Sequence, residues 1–292
     1  MPHSHPGSFN HRLHVRRELW WGRPFHWARL QSYRDASHRV GERFTRRFRD
    51  DSDASWRCCA YWPRALMNKW NSREFAQKHG CRVPSLYWYG RSIAAIPWTA
   101  LPARYALRPV WGAGRQGVHV VSDERELIRN VAMPAEALRR ALLREHGPVA
   151  LTPLLVEEFV PSENGAGRLP LEYKCHVFGG QIAAVQVIER TGPHSGAHRF
   201  YTSRWDHFSD VMSPSYPLAP PQPAPRWLDQ MLVAASRMGE AIGTYMRIDF
   251  FVSEDGPVFN EFASTPQFNK PFTPYCDELF GAFWQQQLPH AV

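Results

Sequence analysis

The residues best suited to chemistry stand near the end of the chain, in the stretch RIDFFVSEDGPVFNEF. If this stretch forms two strands joined by its EDG turn, Arg247 and Asp249 share one face of the first strand, because side chains alternate along a strand. Phe259 and Glu261 likewise share a face of the second, so that Asp249 and Glu261 can converge across the hairpin. Two facing carboxylates repel each other, and oxygen ligands of this kind suit Mg²⁺ with nucleotide phosphates. The alternative is a surface hairpin in which Asp249 pairs with Arg247 or another base.

A glycine-rich loop, GAGRQG, follows Arg108 and separates two apolar runs. Gly112, Gly114 and Gly117 allow backbone N–H groups to approach an anion such as phosphate, and Arg108 and Arg115 would neutralise its charge. The spacing matches neither G-x-x-x-x-G-K-[ST] nor a G-x-G-x-x-G that opens a helix, which excludes a P-loop and a Rossmann fingerprint. A plain hairpin turn is the alternative.

A third group of polar residues lies in the runs VEEFV and LEYKCHVF. An acidic hinge between these strands could offer backbone groups to an adenine and a carboxylate to a ribose. The alternative is two core strands with solvent-facing glutamates. Lys174, Arg190 and Arg199 add basic groups that suit a triphosphate or a substrate carboxylate, with solvated positions as the alternative for each.

Other kinds of site find little support in the sequence. There is no G-x-S-x-G elbow, no H-E-x-x-H and no protease-like cysteine signature, which argues against a covalent hydrolase. The five cysteines lack C-x-x-C spacing, so neither a disulfide framework nor a structural zinc site is indicated. His176 stands in the middle of a strand, where a core or sheet-face role is the more common one.

The helix and strand patterns around these residues predict an α+β fold with antiparallel sheets. We expect one helix in RALMNKWNSREFAQKHG that ends at Gly80, a strand in CRVPSLYWYG, two strands flanking the glycine-rich loop, and a helix opened by residues 122–124. PAEALRRALLREHG and PRWLDQMLVAASRMGEAIG predict two further helices. Between them stand the β-rich runs LLVEEFV, LEYKCHVFGG and QIAAVQVIER, the last two joined by a hairpin turn at Gly179 and Gly180.

The 292-residue chain has a globular composition, 43% hydrophobic, and a formal net charge of +8. Residues 1–60 carry +6 of that charge, as twelve Arg against six acids. This basic arm also contains Trp20, Trp21, Phe25 and Trp27. It is expected to pack on the body through its aromatic side chains, and contact with an anionic polymer or a membrane surface is the alternative. No nucleic-acid partner is expected.

No apolar run approaches the roughly 20 residues that a membrane span requires, and the first residues lack the apolar core of a signal peptide. A cytoplasmic protein is therefore expected.

In their order along the chain, these motifs resemble the ATP-grasp superfamily. RIDFFVSEDGPVFNEFASTP is similar to the end of the D-alanine–D-alanine ligase catalytic domain. From about Leu66 onward the chain resembles still more the TupA-like ATP-grasp family, named for teichuronopeptide biosynthesis. The matching stretches are NKWNSREFAQKHGCRVP, LRPVWGAGRQGVHVV, VEEFV, LEYKCHVFGGQIAAVQV and MRIDFF to NEFASTP. The N-terminal arm lies outside this resemblance.

The resemblance implies two α+β subdomains whose antiparallel sheets grip ATP between them. It divides the chain into the arm (1–60), a helix-strand region (61–100), a small subdomain with the glycine-rich loop (101–159) and a large catalytic subdomain (160–292).

The resemblance also implies roles for individual residues. Asp249 and Glu261 would bind Mg²⁺, with Glu261 bridging two ions, and Arg247 would stabilise an oxyanion. Arg108 stands where such families usually place a phosphate-binding lysine. Glu157 to Val160 would form the adenine hinge, Glu172 would bind the ribose, and Lys174 and Arg190 would face phosphate or substrate. The implied nucleotide-binding residues are Lys69, Arg108, Gly112, Gly114, Gly117, Glu157, Glu158, Phe159, Val160 and Glu172, and the implied catalytic residues are Arg247, Lys174 and Arg190.

One position departs from the superfamily pattern, in which the second carboxylate usually continues as Glu-x-Asn. Here Ala263 replaces that asparagine and cannot ligate a metal, which leaves Ser264 or Thr265 as candidate substitutes.

The function that the resemblance implies is an ATP-dependent carboxylate-amine ligase that forms an acyl phosphate and releases ADP and phosphate. Cell-envelope polysaccharide or peptide-polymer biosynthesis is the implied setting, with a uronic acid or amino acid among the substrates. A phosphotransferase acting on a hydroxyl and a non-catalytic nucleotide- or glycan-binding module are the alternatives.

Overall fold

The computed structural model describes residues 51–57, 62–112, 116–163, 168–208, 216–264 and 273–287. Residues 1–50, which make up most of the basic arm, lie outside these ranges, and so does Gly114. In the described part of the chain, no helix is both long enough and apolar enough to cross a membrane.

The elements follow one another from a helical start through two successive blocks of strands. The described helices are α1 (Asp53–Arg57), α2 (Trp62–Ala65), α3 (Lys69–Lys78), α4 (Ala135–His146), α5 (Leu228–Ile242) and α6 (Pro274–Gln287), with a 3₁₀ turn at Ile93–Ala95. The strands are β1 (Leu86–Ser92), β2 (Arg104–Pro109), β3 (His119–Ser122), β4 (Arg125–Glu126), β5 (Val131–Ala132), β6 (Val149–Glu158), β7 (Glu172–Phe178), β8 (Gln181–Arg190), β9 (Gly196–Tyr201), β10 (His207–Phe208), β11 (Tyr245–Ser253) and β12 (Gly256–Ala263).

The first sheet, here called the small sheet, has the strand order β1-β6-β2-β3-β4-β5, and all its neighbouring strands are antiparallel. Its outer face packs on α4, where Leu107 and Val156 of the sheet meet Leu138 and Leu142 of the helix. The second, here called the large sheet, has the order β10-β9-β8-β7-β11-β12, again antiparallel throughout. The predicted α+β class with antiparallel sheets is confirmed.

Two of the predicted helices are wrong in detail. The helix expected in RALMNKWNSREFAQKHG is interrupted: its first two residues belong to α2 and a new helix, α3, begins at Lys69, because the side chain of Asn68 caps α3 by accepting the backbone N–H groups of Trp70 and Asn71. Asn68 itself has an extended backbone, which a continuous helix does not permit.

No helix starts at residues 122–124. Asp123 and Glu124 both have left-handed backbones, with φ of 51° and 62°, and the chain turns there into β4. The buried carboxylate of Glu126 accepts the backbone N–H groups of Val120, Ile128 and Arg129, and so stabilises this turn in place of a helix.

The large sheet is covered by α5 on one face and by α6 on the other. Met231 and Met238 of α5 pack on Val177 and Phe250, while Phe280 of α6 packs on the opposite face. Helix α3 also reaches the α5 side of the sheet, where the ring of Phe75 lies 5.7 Å from that of Phe262 in β12. The half of the α6 face that α6 leaves uncovered turns towards the small sheet.

Helix α5 approaches the β7–β8 hairpin closely at Gly239. A Cβ at this position would lie 2.4 Å from Val177 Cγ1 and 3.0 Å from the backbone N of Gly180. We therefore expect Gly239→Ala to lower the free energy of unfolding by about 1–3 kcal/mol, because the added methyl group overpacks the contact. Urea denaturation measures the change. The exposed Val233→Ala on the same helix is the control and should change stability by less than about 0.5 kcal/mol; equal effects of the two variants would contradict the packing argument.

His176 lies under α6 in the large sheet. Its Nδ1 shares a hydrogen bond with Tyr245 Oη at 2.9 Å, whereas its Nε2 is buried without a partner among the described residues. Burial, helped by the positive charges of Arg247 and Lys174, lowers the pKa of His176 well below its ordinary value of 6.5. As expected from its place in the strand, His176 is a core residue.

This burial predicts a pH dependence of stability. Below pH 6.5 the unfolded chain binds a proton at His176 that the folded protein does not, so stability falls as the pH falls. We expect His176→Gln to reduce that slope by about 1.4 kcal/mol per pH unit below 6.5. Urea denaturation of both proteins between pH 7.5 and pH 5, in roughly half-unit steps, provides the comparison. Parallel slopes would show that His176 is protonated in the fold.

Candidate active site

The facing surfaces of the two sheets enclose a cavity of about 410 Å³. The small sheet lines it with Ala106, Arg108 and Val120, and the large sheet lines it with Lys174 and Arg247. Each of these residues alternates along its strand with core residues, so one face of every strand is apolar and the other belongs to the cavity. The cavity walls are therefore built by strands, which hold their side chains more rigidly than loops would.

Almost all the residues singled out in the sequence meet at this cavity. Those lining it are Lys69, Arg108, Gly112, Glu157, Glu158, Phe159, Val160, Glu172, Lys174, Arg190, Arg247 and Glu261. Asp249 lies just beneath the surface, fully buried. Gly117 has a left-handed backbone, with φ of 70°, at the end of the glycine-rich loop. Ser264 instead bonds to Arg64 and Met67, outside the cavity lining, and Thr265 lies beyond the described residues.

The floor of the cavity is a row of side chains whose charges alternate, here called the charged row. Its members, in order, are Arg190, Glu172, Lys174, Asp249, Arg247, Glu261 and Lys69. With four cations and three carboxylates, the row has an excess of one positive charge. A polyanion bound above it would meet this positive potential in a setting that screens charge less than bulk water does.

Asp249 is the most tightly held member of the charged row. Its two oxygens accept hydrogen bonds from Arg247 Nε and Nη2, both at 2.7 Å, and from Lys174 Nζ, also at 2.7 Å. Burial would raise the pKa of Asp249, but Arg247 and Lys174 outweigh burial and hold that pKa below its ordinary value. The carboxylate is therefore ionised throughout the physiological range.

Lys174 is held between two carboxylates. Its Nζ lies 2.7 Å from Asp249 Oδ2 and 3.0 Å from Glu172 Oε2. Burial and the neighbouring Arg247 would lower the pKa of Lys174, but Asp249 and Glu172 prevail and raise it. Lys174 is thus a fixed positive charge at the cavity floor.

The hairpin of β11 and β12 contains one extra residue on its second strand. Phe250 lies opposite Phe259, and an unbroken register would place Asn260 opposite Asp249. Instead, Asp249 lies opposite Glu261, because the register shifts by one residue at this point. Asn260 is the extra residue of a β-bulge, a feature that re-aims side chains next to it.

The bulge confirms one prediction and corrects another. Asp249 and Glu261 do converge across the hairpin, as the sequence suggested. Phe259 and Glu261 do not share a face: Phe259 is buried in the core beside Phe250, while Asn260 and Glu261 both line the cavity. The shift at the bulge reverses the alternation that the prediction assumed.

Glu261 is the accessible member of the carboxylate pair, with its side chain 32% exposed, whereas that of Asp249 is fully buried. The nearest cations to Glu261 are Arg247 Nη2 at 3.6 Å and Lys69 Nζ at 4.0 Å. The described residues contain no group of three or more His, Cys, Asp or Glu side chains arranged around a metal position. The two carboxylates fit Mg²⁺ in charge and in oxygen chemistry, provided that a bound nucleotide and water supply the other ligands.

Arg108 points across the cavity to the large sheet. Its Nη1 donates to Asn260 Oδ1 at 2.7 Å, its Nη2 donates to the Asn260 carbonyl at 3.2 Å, and its Nε donates to Glu157 Oε1. Glu157, only 2% exposed, receives a second hydrogen bond from Arg73 Nη1 at 2.7 Å. The side chain of Glu157 is therefore committed to two arginines.

The end of β6 forms the side wall of the cavity. Glu158 accepts hydrogen bonds from the backbone N–H of Ser85 at 2.9 Å and from Arg82 Nη2 at 2.8 Å, which fixes the last residue of the strand. Phe159 and Val160 follow directly after the strand and line the cavity. They stand where the sequence placed an adenine hinge.

The other end of the charged row is closed by Arg190. Its Nε and Nη2 donate to the two oxygens of Glu172 at 2.8 and 3.0 Å, and its Nη1 donates to Tyr216 Oη at 2.7 Å. The guanidinium also lies over the Tyr216 ring, 5.1 Å from its centre. Arg190 thereby orients Glu172 and holds the ring of Tyr216 in the cavity lining.

Sequence reasoning missed Asn260, Arg73 and Tyr216. Of these, only Asn260 had a usable signal. Phe259 and Phe262 are both core residues although three positions separate them, and that spacing is incompatible with regular alternation in a strand. Arg73 meets Glu157, which lies 84 positions away, through the tertiary fold alone.

The chain is similar to several solved structures at low sequence identity. No curated protein matches the chain. The VanG D-Ala:D-Ser ligase from Enterococcus faecalis superposes with a TM-score of 0.50 and 18% identity, over 79% of this chain and 63% of that one. The D-alanine–D-alanine ligase from Bacillus anthracis in complex with ATP superposes with a TM-score of 0.44 and 14% identity, over 70% of this chain and 55% of that one. The ATP-grasp ligase PsnB with its minimal precursor superposes with a TM-score of 0.45 and 13% identity, over 78% of this chain and 62% of that one.

This chain thus spans less than two thirds of each of these solved structures. The likeness to the first of them shows the ATP-grasp fold, as the sequence predicted. The family model of the TupA-like ATPgrasp proteins matches residues 65–285, which include both sheets and every member of the charged row. The chain belongs to the TupA-like ATP-grasp family.

Proposed function

We propose that the protein is an ATP-dependent carboxylate-amine ligase that releases ADP and phosphate. The observation that carries the proposal is the charged row. It places the carboxylate pair Asp249 and Glu261 among Lys69, Lys174 and Arg247 on the floor of a cavity between two antiparallel sheets. Fixed cations beside paired carboxylates suit a triphosphate and its magnesium ion.

In this proposal the nucleotide base lies at the side wall of the cavity. Ala106, Val120 and Ile128 make that part of the lining apolar, and Phe159 and Val160 stand at its edge. The phosphates extend along the floor towards Lys174 and Arg247, with Gly112 and Gln116 of the glycine-rich loop in the cavity lining and Glu172 beside the ribose.

Asp249 and Glu261 would hold Mg²⁺, which neutralises charge on the phosphates when it is bound. Glu261 is open to the cavity, while Asp249 is covered by Lys174 and Arg247. Those two cations would therefore have to shift from Asp249, in part, as the ion and the phosphates enter.

The proposed chemistry needs no protein nucleophile. An oxygen of the substrate carboxylate attacks the γ-phosphorus, the bond to the ADP oxygen breaks, and an acyl phosphate forms. An amine nitrogen then attacks the acyl carbon, phosphate leaves, and the amine loses a proton. Arg247, a guanidinium beside both carboxylates of the proposed ion site, is suited to stabilise the developing oxyanion, with Lys174 and Arg190 facing phosphate or substrate.

The substrates proposed are an amino acid or a uronic acid as carboxylate and a second amino compound as amine, in the assembly of a cell-envelope polysaccharide or peptide polymer. The name of the VanG D-Ala:D-Ser ligase gives amino acids as its substrates. Amino acids also suit the end of the cavity at Arg190 and Tyr216, where the lining contains both a positive and an aromatic group.

The test is a substrate screen with ATP and Mg²⁺ in which ADP, phosphate and products are all measured. Hydroxylamine replaces the amine in a parallel set, because it converts an acyl phosphate into a hydroxamate. Phosphate release with an amide product, or a hydroxamate, supports the ligase. ADP with a phosphorylated alcohol instead identifies a phosphotransferase. Binding of ATP without ADP formation from any acid, amine or alcohol identifies a binding module.

The basic arm is proposed to contact an anionic polymer or a membrane surface. Residues 1–50 lie outside the described structure, so this proposal rests on their sequence. Removal of those residues should weaken retention on heparin resin, and the retention of the full-length protein should fall with added salt.

A further inference from the structure

The side chain of Arg108 uses all three of its nitrogen atoms in hydrogen bonds within the protein. Two of them reach Asn260 in β12, and the third reaches Glu157 in β6. Only 7% of Arg108 is exposed, although it lines the cavity. Three of the five N–H donors of this guanidinium, one on each nitrogen, are therefore turned towards protein acceptors, which leaves a phosphate only the second hydrogen of each Nη atom.

These hydrogen bonds connect the two sheets on opposite sides of the cavity. Arg108 and Glu157 belong to β2 and β6 of the small sheet, and Asn260 belongs to the edge strand of the large sheet. Arg73 of α3 donates to Glu157 at 2.7 Å and to the Pro84 carbonyl at 2.7 Å, and so supports Glu157 from behind. The result is a continuous chain of hydrogen bonds from α3 through the small sheet to β12.

The bulge explains why Asn260 is available for this contact. The extra residue of a bulge is left out of the regular ladder, and its backbone groups need other partners. Arg108 satisfies the Asn260 carbonyl and the Asn260 amide oxygen together. A regular strand would have kept that carbonyl in the ladder or turned the side chain away.

We infer that Arg108 and Asn260 form a bridge that sets the separation of the two sheets around the nucleotide, and that Arg108 is a positioning residue instead of a phosphate ligand. The test by nucleotide binding rests on the proposed function, whereas the test by unfolding does not. The phosphates are met by Lys69, Lys174 and Arg247, all of which lie on the cavity floor. Lysine at position 108 would offer all three of its donors from a single nitrogen, and so could not span Glu157 and Asn260 as the arginine fork does.

The experiment compares adenosine with ATP as ligands in isothermal titration calorimetry. A bridge acts on the whole cavity, so Arg108→Met and Asn260→Leu should each weaken the binding of adenosine and the binding of ATP by the same factor. We expect about tenfold, the usual loss for a hydrogen bond to a charged group. Asn260→Asp keeps the acceptor and should retain adenosine binding. The double variant Arg108→Met, Asn260→Leu should bind no more weakly than either single variant.

A phosphate ligand would give a different pattern. Arg108→Met would then weaken the binding of ATP and leave the binding of adenosine unchanged. Asn260→Leu would have little effect on the binding of either ligand. That result would overturn the inference.

A second measurement does not depend on nucleotide. In the protein without ligand, the unfolding free energies of Arg108→Met, Asn260→Leu and the double variant form a cycle, and the bridge predicts that the two changes are strongly non-additive. Additive effects would overturn the bridge even if neither ligand binds. A protein that shows this coupling but binds neither ATP nor adenosine would keep the bridge and refute the proposed function.

Discussion

Glu261→Gln should abolish the effect of Mg²⁺ on ATP binding while leaving the fold intact. Glu261 lines the cavity, is a third exposed, and makes only long contacts to Arg247 and Lys69, so neutralising it removes no short ion pair. The substitution does remove half of the carboxylate pair that would hold the ion. Calorimetry with ATP, with and without Mg²⁺, measures this effect without any acceptor substrate.

With a substrate pair in hand, we expect ADP formation by Glu261→Gln to fall by about 10²–10³-fold, because loss of an ion that stabilises transferring phosphate costs several kcal/mol. The matched control is Glu254→Gln, the same chemical change in the exposed turn of the same hairpin. It should behave as wild type in both assays. Undiminished Mg²⁺ dependence in Glu261→Gln would remove the carboxylate pair from the proposed site.

Asp249→Asn should destabilise the protein by about 3–5 kcal/mol, the usual consequence of removing one partner from a buried ion pair. Asp249 is fully buried and pairs with both Lys174 and Arg247, so the amide would leave these two cations with only Glu172 and the more distant Glu261 as counter-charges. Its amide hydrogens would also face the donors of both side chains. Guanidinium denaturation at neutral pH provides the measurement.

Two further variants define the cause of that loss. Asp255→Asn makes the same change in the exposed turn of the hairpin and should alter stability by less than about 0.5 kcal/mol. Lys174→Met combined with Asp249→Asn removes one of the stranded cations, so the double variant should be more stable than the sum of the two single changes predicts. Strict additivity would mean that Asp249 stabilises the fold through contacts other than the ion pair.

Much of the architecture could be predicted because the patterns that specify it are local. The β7–β8 and β11–β12 hairpins, the helices α4 and α5, and the antiparallel class all follow from apolar periodicity and turn residues close in sequence. The helix expected at residues 122–124 failed for the opposite reason. The chain there is fixed by Glu126, whose buried carboxylate accepts the N–H groups of the turn, and the acidic residues that resembled a helix start lie in left-handed conformations.

For the site, residue types along single strands could be predicted, but contacts between sheets could not. Lys174 and Asp249 could be placed at one cavity, yet the hydrogen bonds that cover Asp249 depend on the register between β7 and β11. Arg108 could be identified as a charged group near a nucleotide. Its partner Asn260 lies 152 positions away on the other sheet, where only the fold brings the two together.

The bulge at Asn260 has a consequence for the spacing of the two carboxylates along the chain. In a hairpin with an uninterrupted ladder closed like this one, facing residues are always an odd number of positions apart, as Phe250 and Phe259 are. Asp249 and Glu261 are an even number apart, and this parity is possible only because one residue is extra. A chain that lacked Asn260 would again bring a glutamate opposite Asp249, now through a regular ladder. The carboxylate pair can therefore be placed with or without the bulge, whereas Asn260 is placed only by the bulge. Among hairpins closed by a turn of this same length, an even interval between the two carboxylates indicates the extra residue.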